Sequence, residues 1–216
     1  MPLPAANLRS NLGTWAVPSS RLPFIGSVMG ESLPRESFDP DFSGQKLETT
    51  YFDTPDFTLR KARAKGDKYL TLRVRCYEAG ESADGGDTYA LSAKTETEKY
   101  RVEIPSELAE GLIANGVATE TLGDTLPANL MARLLELVAD SSLQAVVTIC
   151  FRRYAVEDEV DRFTLDCGIE TDTGKCYPSN VLEYKSTVST GTPIVQGVTE
   201  GLRPIKLSKF LWSTPP

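Results

Sequence analysis

The chain has 216 residues, 40% hydrophobic and 25% charged, with a net charge of -7 and no histidine. Those values fit a folded soluble chain with one core, while the missing histidine removes the commonest general base and every Ser-His or Cys-His nucleophile. The acidic balance argues against general nucleic-acid binding, although a sequestered basic cavity stays compatible with it.

Chemistry in such a chain falls to carboxylates, Lys, Arg and a hard metal. Cys76, Cys150, Cys167 and Cys176 are widely spaced, without the close ligand pairs that zinc needs, and read as reduced thiols. No apolar run approaches the ~18 residues of a membrane helix, and Met1 to Val17 lacks the pattern of a secretory signal. The expectation is a cytoplasmic protein, a single domain over residues 1–216 whose first 45 residues are poorly defined. Oligomeric state is not legible.

In chain order, the segment to Gln45 is rich in Pro, Ser and Gly, with a short apolar stretch at Trp15 to Val17 and a helix over Ser19 to Met29. Alternating β-branched and aromatic residues then predict strands at Leu47 to Thr54, Lys68 to Tyr77, Thr88 to Thr95 and Lys99 to Ile104. Turn residues separate them at 54–56 and 80–87. Ser106 to Asn115, opened by a capping serine and followed by Gly116, predicts a helix. Pro127 to Ala139 predicts a second, with Leu130, Leu134, Leu137 and Val138 at helical spacing. Strands resume at Ala145 to Val156, Arg162 to Cys167, Val181 to Ser186 and Ile205 to Leu211. The fold class is therefore α+β with an antiparallel sheet.

Strand residues alternate sides, so each strand sorts into two faces. Arg73 and Arg75 share a side against Leu72, Val74 and Cys76. Lys99, Arg101 and Glu103 oppose Tyr100, Val102 and Ile104; Arg162, Thr164 and Asp166 oppose Phe163, Leu165 and Cys167. Glu183 and Lys185 share a face, and Lys94 falls with Ser92. Ile149 and Phe151 mark an apolar side in their strand, which assigns Arg152 to the charged face and Arg153 to the other. A solvated sheet face is the ordinary fate of such positions, but it mixes signs, whereas this one is mostly Arg and Lys in an acidic chain. Turned inward in a closed barrel, it suits a phosphate chain, with Glu183, Glu103 and Asp166 as oxygen ligands for Mg2+ or Mn2+ or as counter-charges to the arginines.

Specific strings sharpen this: YFDTPD at 51–56, LRVRCY at 72–77, LSAK at 91–94, KYRVE at 99–103, FRRY at 151–154, RFTLD at 162–166, LEYK at 182–185 and SKF at 208–210. Their order and spacing, from Leu47 to Phe210, resemble the VTC domain, the polyphosphate polymerase module grouped with CYTH proteins among the triphosphate tunnel metalloenzymes. The resemblance implies an eight-stranded barrel and a metal-dependent reaction on the terminal phosphoryl of a triphosphate, ATP or polyphosphate. It implies phosphate contacts at Arg73, Arg75, Lys94, Lys99, Arg101, Arg152, Arg162, Ser208 and Lys209, and a metal at Glu183. Catalytic residues beyond these are not assigned.

A continuous strand would set Lys209 opposite Ser208; a helix beginning there removes the conflict. The chain departs from the pattern in its first strand, where the nearest counterpart is TWAVP at 14–18 and no lysine precedes Lys46. Polyphosphate synthesis and triphosphate hydrolysis are the enzymatic expectations; a non-catalytic polyphosphate- or nucleotide-binding module is the alternative. Adenylyl cyclase activity ranks below both, since no feature selects adenine.

Overall fold

The computed structural model describes residues 10–32, 34, 43–66, 68–78, 86–123, 125–138, 142–188, 193–206 and 208–215. Part of the predicted 80–87 turn and residues 1–9 lie outside them. The strands are β1 Ser10–Val17, β2 Gln45–Asp53, β3 Thr71–Tyr77, β4 Thr88–Lys94, β5 Lys99–Ile104, β6 Gln144–Glu157, β7 Asp161–Thr171, β8 Asn180–Ser186 and β9 Arg203–Pro204. The helices are α1 Leu22–Ser32, α2 Thr58–Lys65, α3 Ser106–Asn115, α4 Thr119–Gly123, α5 Ala128–Val138, α6 Pro193–Thr199 and α7 Lys209–Ser213.

The fold is α+β: one antiparallel sheet in the order β5-β4-β3-β2-β6-β7-β8-β1-β9, flanked by helices. Seven of the strands expected from alternation are present; the eighth long strand is β1, where only a short apolar stretch was read, and the two-residue β9 is added beside it. Strands β4 and β8 stand five positions apart, ~24 Å in a flat sheet at ~4.8 Å per step. Yet Lys94 on β4 and Lys99 on β5 both feel the charge of Lys185 on β8. The sheet is curled, and its two ends face one another across the interior.

Two apolar clusters cover the outer face. Leu70, Leu72, Val74 and Leu91 pack under α3 and α5 through Leu112, Leu130 and Leu134. Phe163, Leu165, Leu182 and Tyr184 pack under α1 and α6 through Ile25, Met29 and Val198. Each fully buried side chain of this kind contributes about 1.5–3 kcal/mol. The helix at 106–115 ends where Gly116 adopts φ +76°; a Cβ there would sit 2.6 Å from the Leu143 carbonyl oxygen. Its cap is Pro105, so Ser106 begins the helix instead of capping it.

A third cluster lies inside the curl. Leu47, Tyr51, Val147, Ile149, Phe151 and Val181 meet Phe210 of α7, which stacks on Tyr51 at 5.1 Å. The C-terminal segment is thus a short helix seated against the inner face, where a strand over 205–211 was expected. Ser208 caps it, accepting from the Leu211 N–H, and Lys209 is its first residue. A helix start at Lys209 is the arrangement that removes the parity conflict between Lys209 and Ser208.

The segment after β2, for which the strand pattern predicts no element, is helix α2. The buried Asp53 carboxylate builds the corner: one oxygen accepts from the Thr54 and Leu59 N–H groups and the other from Arg60 N–H. Burial raises its pKa and those amides oppose the rise.

Candidate functional site

The register fixes which side chains share the inner face. On β3, Thr71, Arg73, Arg75 and Tyr77 point inward, because Leu72 and Val74 belong to the outer core. Across β4, Ser92 lies between Arg73 and Arg101, Lys94 lies between Thr71 and Lys99, and Ala90 lies between Arg75 and Glu103. The middle strand therefore offers small residues beside both arginines, which leaves room for two guanidinium groups over the same stretch of sheet.

Arg75 is 8% exposed and donates from Nε to Thr49 Oγ1 at 2.9 Å. Its guanidinium lies 5.8 Å from the Tyr77 ring centre and 5.7 Å from that of Phe151, and Arg101 lies 4.6 Å from Tyr77. Such stacking holds the planar cations without consuming their hydrogen-bond donors. Burial, then the charges of Arg73 and Arg153, pull the Arg75 pKa down to about 10. Tyr77 shifts the other way from what burial favours, because Arg75 and Arg101 stabilise its phenolate.

Lys99 is strongly perturbed. The residue is exposed, but desolvation of its ammonium, followed by repulsion from Arg73, Lys185, Arg75 and Arg101, pushes its pKa down to about 7. Lys94 is lowered for the same reasons, by burial and then by Arg63, Lys185 and Arg73. Among the described residues, none of Arg73, Arg75, Lys94, Lys99 and Arg101 makes an ion pair with a carboxylate.

The opposite side of the interior is different in kind. Arg153 grips Asp166 with two hydrogen bonds, Nε to Oδ1 at 2.6 Å and Nη2 to Oδ2 at 2.8 Å, and Lys209 donates to the same Oδ2. The Lys209 ammonium also sits 4.0 Å from the Phe151 ring centre. Burial acts to raise the Asp166 pKa, yet Arg153 and Lys209 hold it well below the usual carboxylate range. Arg162 pairs with Glu157 at 3.5 Å. Glu183 accepts from Lys185 Nζ at 3.0 Å and from Asn11 Nδ2 at 2.9 Å. Burial opposes its ionisation; Lys185, then Arg153, overcome that and lower its pKa.

Asn11 reaches Glu183 because β1 bulges between Asn11 and Gly13. Its Oδ1 accepts from the Gly13 N–H at 2.9 Å, and Gly13 lies flat under the Trp15 indole, where any Cβ would clash.

One assignment from the sequence is overturned. Arg152 faces outward, donating to the Gly44 carbonyl at 2.6 Å, and Arg153 faces inward. Ile149 and Phe151 are apolar but belong to the interior cluster under α7, so they mark the same side as Arg153. A second expectation is also corrected: Glu183, Glu103 and Asp166 do not form one cation site. Both Asp166 oxygens are taken by cations, Glu103 lies beyond Arg101 at the other end of β5 from Lys99, opposite Ala90, and no group of three or more acidic or thiol side chains converges among the described residues. Asp166 is a counter-charge, the other role its sequence context allowed.

Two cations were missed. Alternation puts Lys185 on the face of Glu183, and the motifs give it no role. Arg63 of α2 donates to Thr71 Oγ1 at 3.0 Å and to Ser208 Oγ at 3.1 Å, tying α2 to the cap of α7. Strand alternation is blind to a cation delivered by a helix; the basic run TLRKARAK was the signal available.

The family model for the VTC domain matches residues 15–210. The chain belongs to the VTC domain family. Among solved structures, the chain is similar to a Bacillus halodurans protein described as a "putative adenylate cyclase". The two share 16% identity, with a TM-score of 0.61 over 91% of this chain and 94% of the other. That likeness shows the fold alone. No curated protein sequence matches. No described helix is long and apolar enough to cross a membrane.

Proposed function

We propose that the curled sheet of this VTC-domain chain binds a linear phosphoanhydride, a triphosphate or polyphosphate, and acts on its terminal phosphoryl group with the help of Mg2+ or Mn2+. The observation that carries the reading is the set of five cations on one face of β3–β5, Arg73, Arg75, Lys94, Lys99 and Arg101, none of which makes an ion pair with a carboxylate among the described residues. Like charges packed on neighbouring strands repel, and an anion lying between them removes that cost.

Glu183 is the protein oxygen ligand that fits a hard divalent ion. Among the described residues no second acid converges on it, so an ion held there would draw its remaining ligands from phosphate and water, as Mg2+ usually does. A bound ion of this kind supplies Lewis-acid polarisation of a phosphoryl oxygen. The residues of the chain do the rest. Asn11 and Lys185 fix the Glu183 carboxylate, and the guanidinium groups of Arg73, Arg75 and Arg101 offset negative charge on non-bridging oxygens as the terminal phosphoryl departs.

A second reading, binding without turnover, is favoured by one feature: β1 turns Asn11, Thr14 and Ala16 toward Lys185, Glu183 and Val181 and contributes no cation there. Thermal shift at low salt tests the shared part. Tripolyphosphate, ATP and long polyphosphate should each raise Tm, and Mn2+ should add to the rise in wild type but not in Glu183→Gln. If none of these anions moves Tm, the site does not bind phosphate chains. Release of phosphate or chain growth with Mn2+ separates enzyme from binder.

A further inference from the structure

On the outer face of the sheet, behind Arg73 and Arg75, β2, β3, β4 and α3 enclose a cavity of about 280 Å³. The register builds its floor. Glu48 lies beside Cys76 and Cys76 beside Tyr89; one step along the strands, Thr50 lies beside Val74. Glu110 and Ile113, one turn apart on α3, form the opposite wall. Val74 belongs to the outer apolar cluster, and Ile113 and the Tyr89 ring pack against it, so part of the lining is apolar. Around that part stand four carboxylates, Glu48, Glu78, Asp87 and Glu110, against the single ammonium of Lys46.

The charge is unevenly met. Lys46 is shared between Glu48 at 3.8 Å and Glu78 at 3.5 Å, at the β2 side of the cavity. At the other side Asp87 accepts from the Cys76 thiol at 3.6 Å, and Glu110 makes no ion pair among the described residues. The groups between them register a negative field: burial, then Cys76, Asp87 and Glu110, push the Tyr89 phenol up to about 12, and burial, then Asp87, push the Cys76 thiol to about 11. Acidic side chains on an acidic chain are ordinarily a solvated face, and charge alone would not make a site. The concavity and its apolar floor add what a solvated face lacks. Among the described residues no three acidic or thiol groups close on one point, so the cavity offers a metal ion no chelating set. Its volume lies just under the ~300 Å³ at which pockets for drug-sized ligands begin, and Glu48 and Tyr89 stand two strand spacings apart, ~10 Å. Those dimensions suit a short carbon stem with a cationic end.

We propose that this outer cavity binds a small aliphatic amine, a diamine best, with one ammonium held by Asp87 and Glu110 and the methylene stem lying on Val74, Ile113 and the Tyr89 ring. The second ammonium of a diamine reaches toward Glu48. The site is on the opposite face of the sheet from Arg73 and Arg75, and it stands whether or not the interior binds phosphate. Calorimetric titration of the full chain at low salt, with no phosphate compound present, compares diaminobutane, butylamine, methylamine and Mg2+ at matched ionic strength. Diaminobutane should bind tightest, and butylamine should exceed methylamine on the order of tenfold, since each fully buried methylene is worth roughly fourfold. The double variant Asp87→Asn/Glu110→Gln should weaken diaminobutane roughly ten- to a hundred-fold, the size of a charge-assisted contact. Both side chains are exposed, so Tm should stay near that of wild type.

A pair of lysine variants separates a site from a diffuse acidic surface. Lys46→Gln and Lys61→Gln remove the same charge, one at the cavity and one on the exposed side of α2. Lys46→Gln frees Glu48 and Glu78 and should tighten diaminobutane severalfold, whereas Lys61→Gln should stay within about twofold of wild type, because exposed charges beyond ~10 Å are screened. Methylamine or Mg2+ binding as tightly as diaminobutane overturns the proposal. So does a double variant that binds as wild type does, an equal effect of the two lysine variants, or no binding of any amine at low salt. If the double variant falls in Tm, the amine series on wild type and the lysine pair decide the matter by themselves.

Discussion

The β3–β5 wall and the β6–β7 wall are built from the same residue types and behave oppositely. On the first, cations lean on aromatic rings and hydroxyls: Arg75 on Thr49, Tyr77 and Phe151, and Arg101 on Tyr77. On the second, cations that also rest on the Phe151 ring, Arg153 and Lys209, are paired with the Asp166 carboxylate, and Arg162 with that of Glu157. An aromatic face or a hydroxyl steadies a guanidinium while leaving its charge available, whereas a buried carboxylate consumes it. The number of cations on a surface thus says little about its capacity for an anion. What counts is how many lack an internal counter-charge.

The sharpest way to break that contrast is to remove the counter-charge. Asp166→Asn leaves Arg153 and Lys209 buried against each other, and removal of one member of such a buried set costs about 3–5 kcal/mol. Urea unfolding at pH 7 measures it. The acid limb gives an independent check. The folded-state pKa of Asp166 lies below its unfolded value of ~3.9, so its stabilisation is fully present above ~4 and is lost as pH falls below that. Wild type should lose stability there more steeply than Asp166→Asn.

The opposite wall answers to pH near neutrality. The folded pKa of Lys99, about 7, lies below an unfolded value of ~10.4. Between the two the unfolded chain binds the extra proton, so stability rises with pH; the penalty is complete below about pH 7 and gone above ~10. The groups facing it are Arg73 and Arg75 of β3, Lys94 of β4, Arg101 of β5 and Lys185 of β8. The Tm of wild type should therefore climb relative to Lys99→Gln as pH rises from 6.5 to 9.5. Tripolyphosphate, which favours the charged amine, should flatten that climb. A parallel course for the two proteins would show that Lys99 titrates normally.

The smallest effect is expected outside both walls. Arg152→Ala removes a hydrogen bond to the Gly44 carbonyl and should cost about 1 kcal/mol, with tripolyphosphate affinity unchanged. A clear loss of affinity would place Arg152 back on the inner face.

The face of each strand was legible from alternation alone wherever the outer side was apolar and the inner side charged, as in β3, β5, β7 and β8. There the period of two leaves no freedom. Composition excluded histidine chemistry and zinc, and the ordered strings carried the family. The helix start at Lys209 followed from a conflict in parity. Four things waited on tertiary structure, each for the same reason. The inner face is not uniformly polar, because α7 folds back and covers part of it with Phe210, so an apolar Phe151 marks the inside and Arg153, not Arg152, is the interior cation. Arg63 arrives from a helix held by Asp53, outside any strand pattern. The bulge that lets Asn11 reach Glu183 depends on hydrogen bonding within β1 and its pairing with β8. Which cations are neutralised depends on partners from other strands and helices, such as Asp166 for Arg153 and Lys209. Sequence fixes the charge a side chain carries and the side of the strand it leaves from; only the curled sheet decides what that charge meets.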